Sequence, residues 1–402
     1  MKYAILVGDG MSDYPLPELD NKTPLEVAKI PNMNEIVKSG MIGLVKTVPR
    51  KMKPASDIAN LSILGYDPKV YYKGRGPLEA ANLGIEIAED EVAFRCNLIT
   101  TSGDTMADYS AGHITEKESK LLMEFINDKL GSKEVRFYHG KSYRNLMVMK
   151  TRSSQEIDDL MLTRCLPPHD ISGNSISKNL PSGTGADKLI PLMQRSAELL
   201  EKHEINKVRV DLGENPANMI WLWGQGTSPN MPSFKGMFGI DGSVISAVDL
   251  VNGIGKLIGL KIIQVPGVTG YYDTNYQGKG EYAVDSLKES DFVFVHVEAP
   301  DEAGHNGDVR AKIAAIENFD KYVVGAVWKH FKGTSDYRIM VLSDHATPVS
   351  IKTHVSDPAP FVMAGTGVTA NGFDSFSEKN AAASKEIFKS GAALTENLIK
   401  KL

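Results

Sequence analysis

Short apolar runs rich in branched residues punctuate the chain, and several stop abruptly at acidic or acidic–histidine groups. Tyr3 to Val7 runs into Gly8-Asp9-Gly10. Phe292 to Val297 leads to a polar segment carrying Asp301 and His305, and Ile339 to Leu342 leads to Ser343-Asp344-His345. A weaker run spans Pro360 to Ala364. Runs of this length bounded by turn residues predict buried strands. Apolar residues recur at helical spacing over Ala311 to Lys332, Ser243 to Ile258 and Ala381 to Leu402, which predicts helices there. Strands alternating with helices predict an α/β fold: a layered, largely parallel sheet with helices on both faces. Ligands of such sheets sit beyond the carboxyl ends of the strands, so these strand-end acids are expected to meet at one rim.

The middle of the chain reads differently. It carries its own strand-like runs, Val92 to Thr100 and Tyr143 to Lys150, and helical patterns over Thr115 to Leu130 and Ala186 to His203. A Gly/Ser/Pro-rich stretch from Leu166 to Lys188 predicts a long loop. The expected organisation is a metal-binding domain made of residues 1–90 and 236–402, interrupted by a smaller α/β domain over 91–235.

Length agrees: 402 residues exceed one ordinary core at about 150 residues per domain. The formal net charge of −5 argues against nucleic acid or an anionic membrane as the partner, and leaves room for a local basic pocket that takes a small phosphorylated metabolite. The cysteines Cys96 and Cys165 form no CxxC pair, which predicts reduced, intracellular thiols. The apolar stretch at the N-terminus is too short for a signal-peptide core, and no window reaches the ~18–20 apolar residues of a membrane helix, so a cytoplasmic chain is expected.

Taken singly, Asp9, Asp301, Asp344 and the histidines His305, His345 and His354 are ordinary loop, cap or turn residues. Taken together, they place three carboxylates and several imidazoles on one edge of one sheet, where unneutralised like charges are costly. Divalent cations answer that cost. Mixed Asp/His donors suit Mn²⁺, Zn²⁺ or Co²⁺, whereas Mg²⁺ favours oxygen alone. Two divalent ions are expected, manganese first. His296, inside the apolar run, reads as a hydrogen-bonded structural histidine. A pair of dications can activate a hydroxyl, and Ser56 is the candidate: it follows Pro54 and opens a helical stretch from Asp57 to Leu64. On local sequence alone an ordinary N-cap is the simpler reading of Ser56, with Ser12 and Ser62 as rivals. No GxxxxGK[ST] phosphate loop and no GxSxG elbow occurs.

Longer motifs carry a family resemblance over essentially the full length. They include VGDG, KTPLEVAKIPNMNEI, PASDIANLSILGYDP, YKGRGPLEAANLGI, VPGVTGYYDTNY, APDEAGHNGD, SDHATP and THVSDPAPFVMAG. In these the chain resembles the archaeal-type 2,3-bisphosphoglycerate-independent phosphoglycerate mutases of the alkaline phosphatase superfamily. The resemblance implies a phosphatase-like domain interrupted by a transferase domain. It implies Asp9, Ser56, Asp344 and His345 around one ion, and Asp301, His305 and His354 around the other. Ser56 would take the phosphoryl group from one hydroxyl and return it to another, interconverting 3-phosphoglycerate and 2-phosphoglycerate. The substrate-binding set implied is Arg95, His113, Arg144 and His169. Here the sequence departs from the family: Asp108 to His113 reads Asp-Tyr-Ser-Ala-Gly-His where arginines are expected, and neutral groups do not replace a bidentate guanidinium. The departure keeps two alternatives open on the same metals and serine, a homoserine-kinase-like phosphotransferase and a phosphatase.

Overall fold

A computed structural model describes residues 1–400. The chain divides into two compact units, one made of Met1–Tyr72 together with the chain from Met231 onward, the other of Lys73–Asn230. In chain order the strands are β1 (Lys2–Gly8) and β2 (Gly40–Val45) in the first unit. The second unit contributes β3 (Glu91–Ser102), β4 (Thr105–Asp108), β5 (Val135–Lys141), β6 (Arg144–Lys150) and β7 (Met219–Thr227). The first unit then resumes with β8 (Gly242–Ile245), β9 (Lys261–Ile262), β10 (Phe292–Val297), β11 (Tyr337–Leu342), β12 (Ala359–Gly365) and β13 (Ile387–Phe388).

The sheet of the first unit has eight strands in the order β13-β2-β12-β11-β1-β10-β8-β9. β1 lies between β10 and β11 and runs parallel to both, with Val7 level with His296 on one side and Leu342 on the other. The three strands whose sequences end in acidic groups are therefore neighbours. Every residue from Tyr3 to Gly8 is buried, as is every residue of β10. Both faces of these strands are covered, which is why they read as unbroken apolar runs rather than as alternation. β12 runs antiparallel to β11 and to β2, so the Pro360 to Ala364 run points away from the rim the others share.

Several helical expectations need correction. Ser243 to Ile258 begins as strand β8, pairs with β10, and becomes helix only at Asp249–Leu257. Ala381 to Leu402 is also divided: a helix at Glu378–Ala383, the short β13, then a helix at Gly391–Ile399 capped by Ser390. Residues 401 and 402 of that expectation lie outside the described residues. The long helix expected from Ala311 is helical throughout, but Phe319–Val324 widens to π geometry between Val309–Asn318 and Gly325–Lys332.

The second unit has a five-stranded antiparallel sheet and its own core around Phe94, Leu98, Leu122, Met147 and Trp221. Its first junction falls at residue 73 rather than 91, because the Arg75–Leu83 helix packs on β3 and β7. The Gly/Ser/Pro-rich stretch is tied down: the Asp104 carboxylate accepts hydrogen bonds from Ser175 and Ser177, and Arg164 bridges to Ser182. In the first unit, Tyr66 donates its hydroxyl proton to the Pro232 carbonyl (2.8 Å), joining the chain just before the second unit to the chain just after it. No helix among the described residues is long and apolar enough to cross a membrane.

One buried cation organises the loops beyond the sheet. Lys312, fully buried, donates to the Ser12 carbonyl (3.1 Å), the Asp13 carboxylate (2.7 Å) and the Thr347 carbonyl (2.8 Å). It thereby ties the loop after β1 to the loop after β11. Beside it, Glu378 accepts from the Asp13 amide (3.0 Å) and the Thr23 hydroxyl (2.8 Å). Removing one partner of a buried ion pair leaves the other uncompensated. Lys312→Met is expected to lose about 3–5 kcal/mol of stability in denaturant unfolding, and adding Asp13→Asn to restore part of it. Burial pushes the Glu378 carboxyl up to about 7, the hydrogen bonds it accepts and the Lys312 charge offsetting only part of this. Its folded pKa is raised, so its contribution to stability is full below the unfolded carboxylate range and is lost as pH rises through about 7. Glu378→Gln should therefore melt closer to wild type at pH 5 and gain on it at pH 8, by on the order of 2 °C in thermal unfolding.

Candidate active site

The loop after β1 carries Asp9, which is fully buried. Neither of its carboxylate oxygens accepts a well-directed hydrogen bond, although His296 Nε2 lies 3.0 Å from Oδ2 and His345 Nε2 lies 3.4 Å from Oδ1. Asp344, directly after β11, accepts from the amides of Gly10 (3.0 Å) and His345 (2.9 Å) and from Asn60 Nδ2 (2.9 Å). Asp301 sits in the first turn of the Ala299–Asn306 helix that follows β10. His305, four residues on and so on the same face, approaches it at 3.2 Å, and His354 Nε2 approaches it at 3.4 Å. The Thr347 hydroxyl also donates to Asp301. Gly10 has φ +60°, and a Cβ there would stand 2.5 Å from Asp301 Oδ1 and 2.7 Å from the Thr347 hydroxyl. Only glycine allows this approach.

Ser56 opens the Ser56–Ile63 helix, but Ala55 occupies the N-cap position and no side chain caps that end. The serine hydroxyl instead lies 3.1 Å from His345 Nε2. Asn60, one helical turn later, donates to both the Ser56 carbonyl (2.8 Å) and Asp344, so it fixes the serine's backbone against the carboxylate. The structure thus brings Asp9, Ser56, Asp301, His305, Asp344, His345 and His354 to one rim. The buried Ser12 hydroxyl has no hydrogen-bond partner and the Ser62 hydroxyl accepts the Gly391 amide (3.0 Å), so neither is hydrogen-bonded to the Asp/His groups as Ser56 is to His345.

The charge balance of this cluster is unusual. Burial raises the Asp9 carboxyl well above the usual range, and Asp344 and Asp301 raise it further. Burial also opposes ionisation of Asp301, but hydrogen bonds from His305 and His354 hold it well below the usual range. His305 is drawn up to about 9 by Asp301, whereas burial pushes His296 down to about 4 and lowers His345. His305 Nδ1 faces the Lys352 carbonyl at 3.1 Å and His354 Nδ1 faces the Pro54 carbonyl at 3.4 Å. Those carbonyls can accept the Nδ1 protons, and both Nε2 atoms, 2.9 Å apart, are directed toward Asp301, as donors when the rings are doubly protonated and as ligands where a cation displaces that proton. Three ligand groups have a geometry that could hold an ion: Asp301 with His305 and His354, Asp9 with His296 and Asp344, and Asp9 with Asp301 and His345. Buried carboxylate oxygens without donors beside converging imidazole nitrogens fit divalent cations.

The remaining candidates lie in the second unit around a run of rings. Arg95 is buried, pairs with Glu79 (2.9 Å) and stacks over Trp223 (4.3 Å to the ring centre). His169 meets Trp223 and Tyr109 edge-on. Tyr143 meets Tyr109 and His113 edge-on and carries Arg144 over its face. Arg95, His113, Arg144 and His169 therefore belong to one cluster. Burial lowers the His169 imidazole below its ordinary value. The sequence reading missed Arg75, whose guanidinium also lies over Trp223 (5.9 Å). It also missed Asn60 and Thr347, and it gave His296 a purely structural part. The one signal for His296 was a polar side chain inside a strand otherwise apolar throughout.

Fold and site define an α/β protein with an Asp/His metal-type centre beside a serine. A family model described as 2,3-bisphosphoglycerate-independent phosphoglycerate mutase matches residues 37–206. Among curated proteins, the chain is 52% identical to 2,3-bisphosphoglycerate-independent phosphoglycerate mutase 2 of Methanothermobacter thermautotrophicus over 379 residues, covering 94% of this chain and 92% of that one. It is 49% identical to the Methanosarcina barkeri mutase, with 95% of each chain covered. Among solved structures, it is similar to a Pyrococcus horikoshii protein (TM-score 0.83, 29% identity, 100% of this chain and 98% of that one). It is also similar to the cofactor-independent phosphoglycerate mutase of Thermoplasma acidophilum (TM-score 0.67, 28% identity, 100% and 99% covered). The chain belongs to the 2,3-bisphosphoglycerate-independent phosphoglycerate mutase family.

Because His296 Nε2 lies 3.0 Å from Asp9 and shares with it a group that could hold an ion, His296→Gln should weaken binding of Mn²⁺ to the dialysed protein by about 10–100-fold, the scale for losing a group beside a metal ligand. Calorimetric titration reads this directly. Unchanged affinity would show that Asp9 is oriented without it.

Proposed function

We propose that this chain interconverts 3-phosphoglycerate and 2-phosphoglycerate through a phosphorylated Ser56. One observation carries the proposal: the Ser56 hydroxyl is spared from capping and lies 3.1 Å from His345, beside buried Asp9 oxygens that lack donors. The names of the relatives support it. Two divalent cations, Mn²⁺ first and Zn²⁺, Co²⁺ or Mg²⁺ as alternatives, would supply the charge that activates the serine and stabilises the transferring phosphoryl oxygens. Asp9, Asp344 and His345 would hold one, and Asp301, His305 and His354 the other, with His296 holding Asp9 in place.

The chain's own residues account for the rest. Asn60 holds the Ser56 carbonyl and Asp344 together, so the hydroxyl is aimed before substrate arrives. The N-terminal end of the Ser56–Ile63 helix directs backbone N–H groups toward a phosphate on that serine. In the first half-reaction, Ser56 Oγ gives up its proton and forms a bond to phosphorus, the bond from phosphorus to the substrate oxygen breaks, and that oxygen takes up a proton. In the second, the other glycerate hydroxyl gives up its proton and attacks phosphorus, the bond from phosphorus to Ser56 Oγ breaks, and Ser56 takes a proton back. Arg95 and Arg144, with His113 and His169, would hold the glycerate carboxylate. Arg75, over the same Trp223 ring as Arg95, adds a guanidinium that the Asp108 to His113 segment lacks. That cation favours a doubly anionic substrate over homoserine.

The test is phosphorus NMR on metal-loaded protein given 3-phosphoglycerate, and in a separate tube homoserine with ATP. The expected result is 2-phosphoglycerate in the first and nothing in the second. Ser56→Ala should cut turnover by at least about 10³-fold, the scale seen when a nucleophile is removed. Normal turnover in Ser56→Ala, or phosphohomoserine as the main product, would overturn the assignment.

A further inference from the structure

The first unit contains a cavity of about 1080 Å³ that shares no lining residue with the Asp/His centre. Six cations line it: Lys46, Arg50, Lys51, Lys69, Lys389 and Lys400. Its carboxylates are Asp67 and Glu396. Among the described residues, none of the six cations is held in an ion pair. The whole chain carries 50 acidic and 45 basic residues, so the cavity reverses the balance of the molecule. All six are exposed, so water and salt screen them from one another, and together they give the concavity a positive potential that draws anions.

The lining also has an apolar part, from Val48, Met52, Met237 and Phe238. Its volume stands just above the ~300–1,000 Å³ usual for small-molecule sites. The backbone of Lys51 adds a separate observation: φ is +74°, a left-handed conformation that a non-glycine residue adopts only when its surroundings enforce it. Exposed cations outside any ion pair beside an apolar wall fit a small molecule that joins linked phosphates to an aromatic part, which would share the Phe238 ring with Lys400, 5.2 Å from its centre.

We propose that this cavity is a binding site for a nucleoside triphosphate, its phosphates among Lys46, Arg50, Lys51 and Lys389 and its base against Met237 and Phe238. The proposal is independent of any role for Ser56. The segments that line the cavity run on into the catalytic rim: Met52 precedes Ser56 by one short loop, and Ser356 follows His354 closely in sequence. An occupant would therefore bear on the two segments that carry the nucleophile and a metal-ligand histidine.

The test is calorimetric titration of the metal-loaded full chain with ATP, inorganic triphosphate and adenosine, the phosphates added as magnesium complexes so that they do not strip the site. Photolabelling with 8-azido-ATP runs in parallel. Saturable binding of magnesium–ATP is expected, weakened at least about tenfold in Lys46→Glu/Lys389→Glu, as reversal of charges facing an anion does. The label is expected on peptides containing residues 46–52, 237–238 or 389–400. The double variant should retain wild-type circular dichroism and turn over 3-phosphoglycerate within about twofold of wild type, since neither residue belongs to the rim. Inorganic triphosphate binding as tightly as ATP would support the phosphate subsite and remove the base contact. The proposal is overturned by no saturable binding, by equal binding in a folded double variant, by adenosine binding as well as ATP, or by labelling confined to the Ser56 peptide. Normal turnover in Ser56→Ala with ATP binding intact would overturn the mutase assignment and leave this site standing, so the two proposals fail separately.

Discussion

Mutual repulsion among buried carboxylates is the constraint around which this molecule is arranged. Asp9, Asp301 and Asp344 approach one another at the ends of three adjacent parallel strands, with no water-exposed face to dissipate their charge. Two unit charges 4 Å apart at an effective dielectric near 20 repel by about 4 kcal/mol, a sizeable part of a domain's whole stability. The surrounding sequence is shaped to manage that cost. Gly10 lets backbone pass where any side chain would strike Asp301, Asn60 and Thr347 spend their donors on carboxylates, and Lys312 braces two of the loops from behind. What these donors leave unmet, chiefly at Asp9, is the opening a dication fits.

The two units divide the chemistry between different kinds of surface. The rim of the first is acidic and imidazole-rich, suited to cations and through them to a phosphoryl group. The ring cluster of the second places guanidinium groups over Trp223 and Tyr143, which partly desolvates these planar cations. A stacked guanidinium loses less freedom on gripping a carboxylate than one waving in solvent, so Trp223 and Tyr143 have a recognisable purpose although neither can carry charge. The Asp/His centre and the guanidinium–ring cluster thus lie in separate folding units.

Much of this was legible from the chain alone, for a physical reason. Strands covered on both faces are apolar at nearly every position, so β1, β10 and β11 announce themselves, and the acids beyond their ends stand out against that background. Legibility failed where one spacing serves two structures. Ser243 to Ile258 has helical periodicity only because a short strand and a helix adjoin with compatible apolar positions, and the pairing of β8 with β10 decides between them. The first domain junction was misplaced because the Arg75–Leu83 helix declares its allegiance by packing, not by composition. His296 was underrated for a similar reason. That its side chain faces Asp9 follows from the register of β10 beside β1, which no single-strand pattern contains. Asn60 and Thr347 are ordinary residues made important only by what the fold sets opposite them.

The chain's return to its first unit has a mechanical corollary. Both chain ends belong to the eight-stranded unit, and Tyr3 is linked to Ile399 by a hydrogen bond of 3.3 Å. Tension applied at the ends would pull first on β1 and the last helix, both in the eight-stranded unit. A copy pulled from its ends would thus disturb early the strand that leads into Asp9.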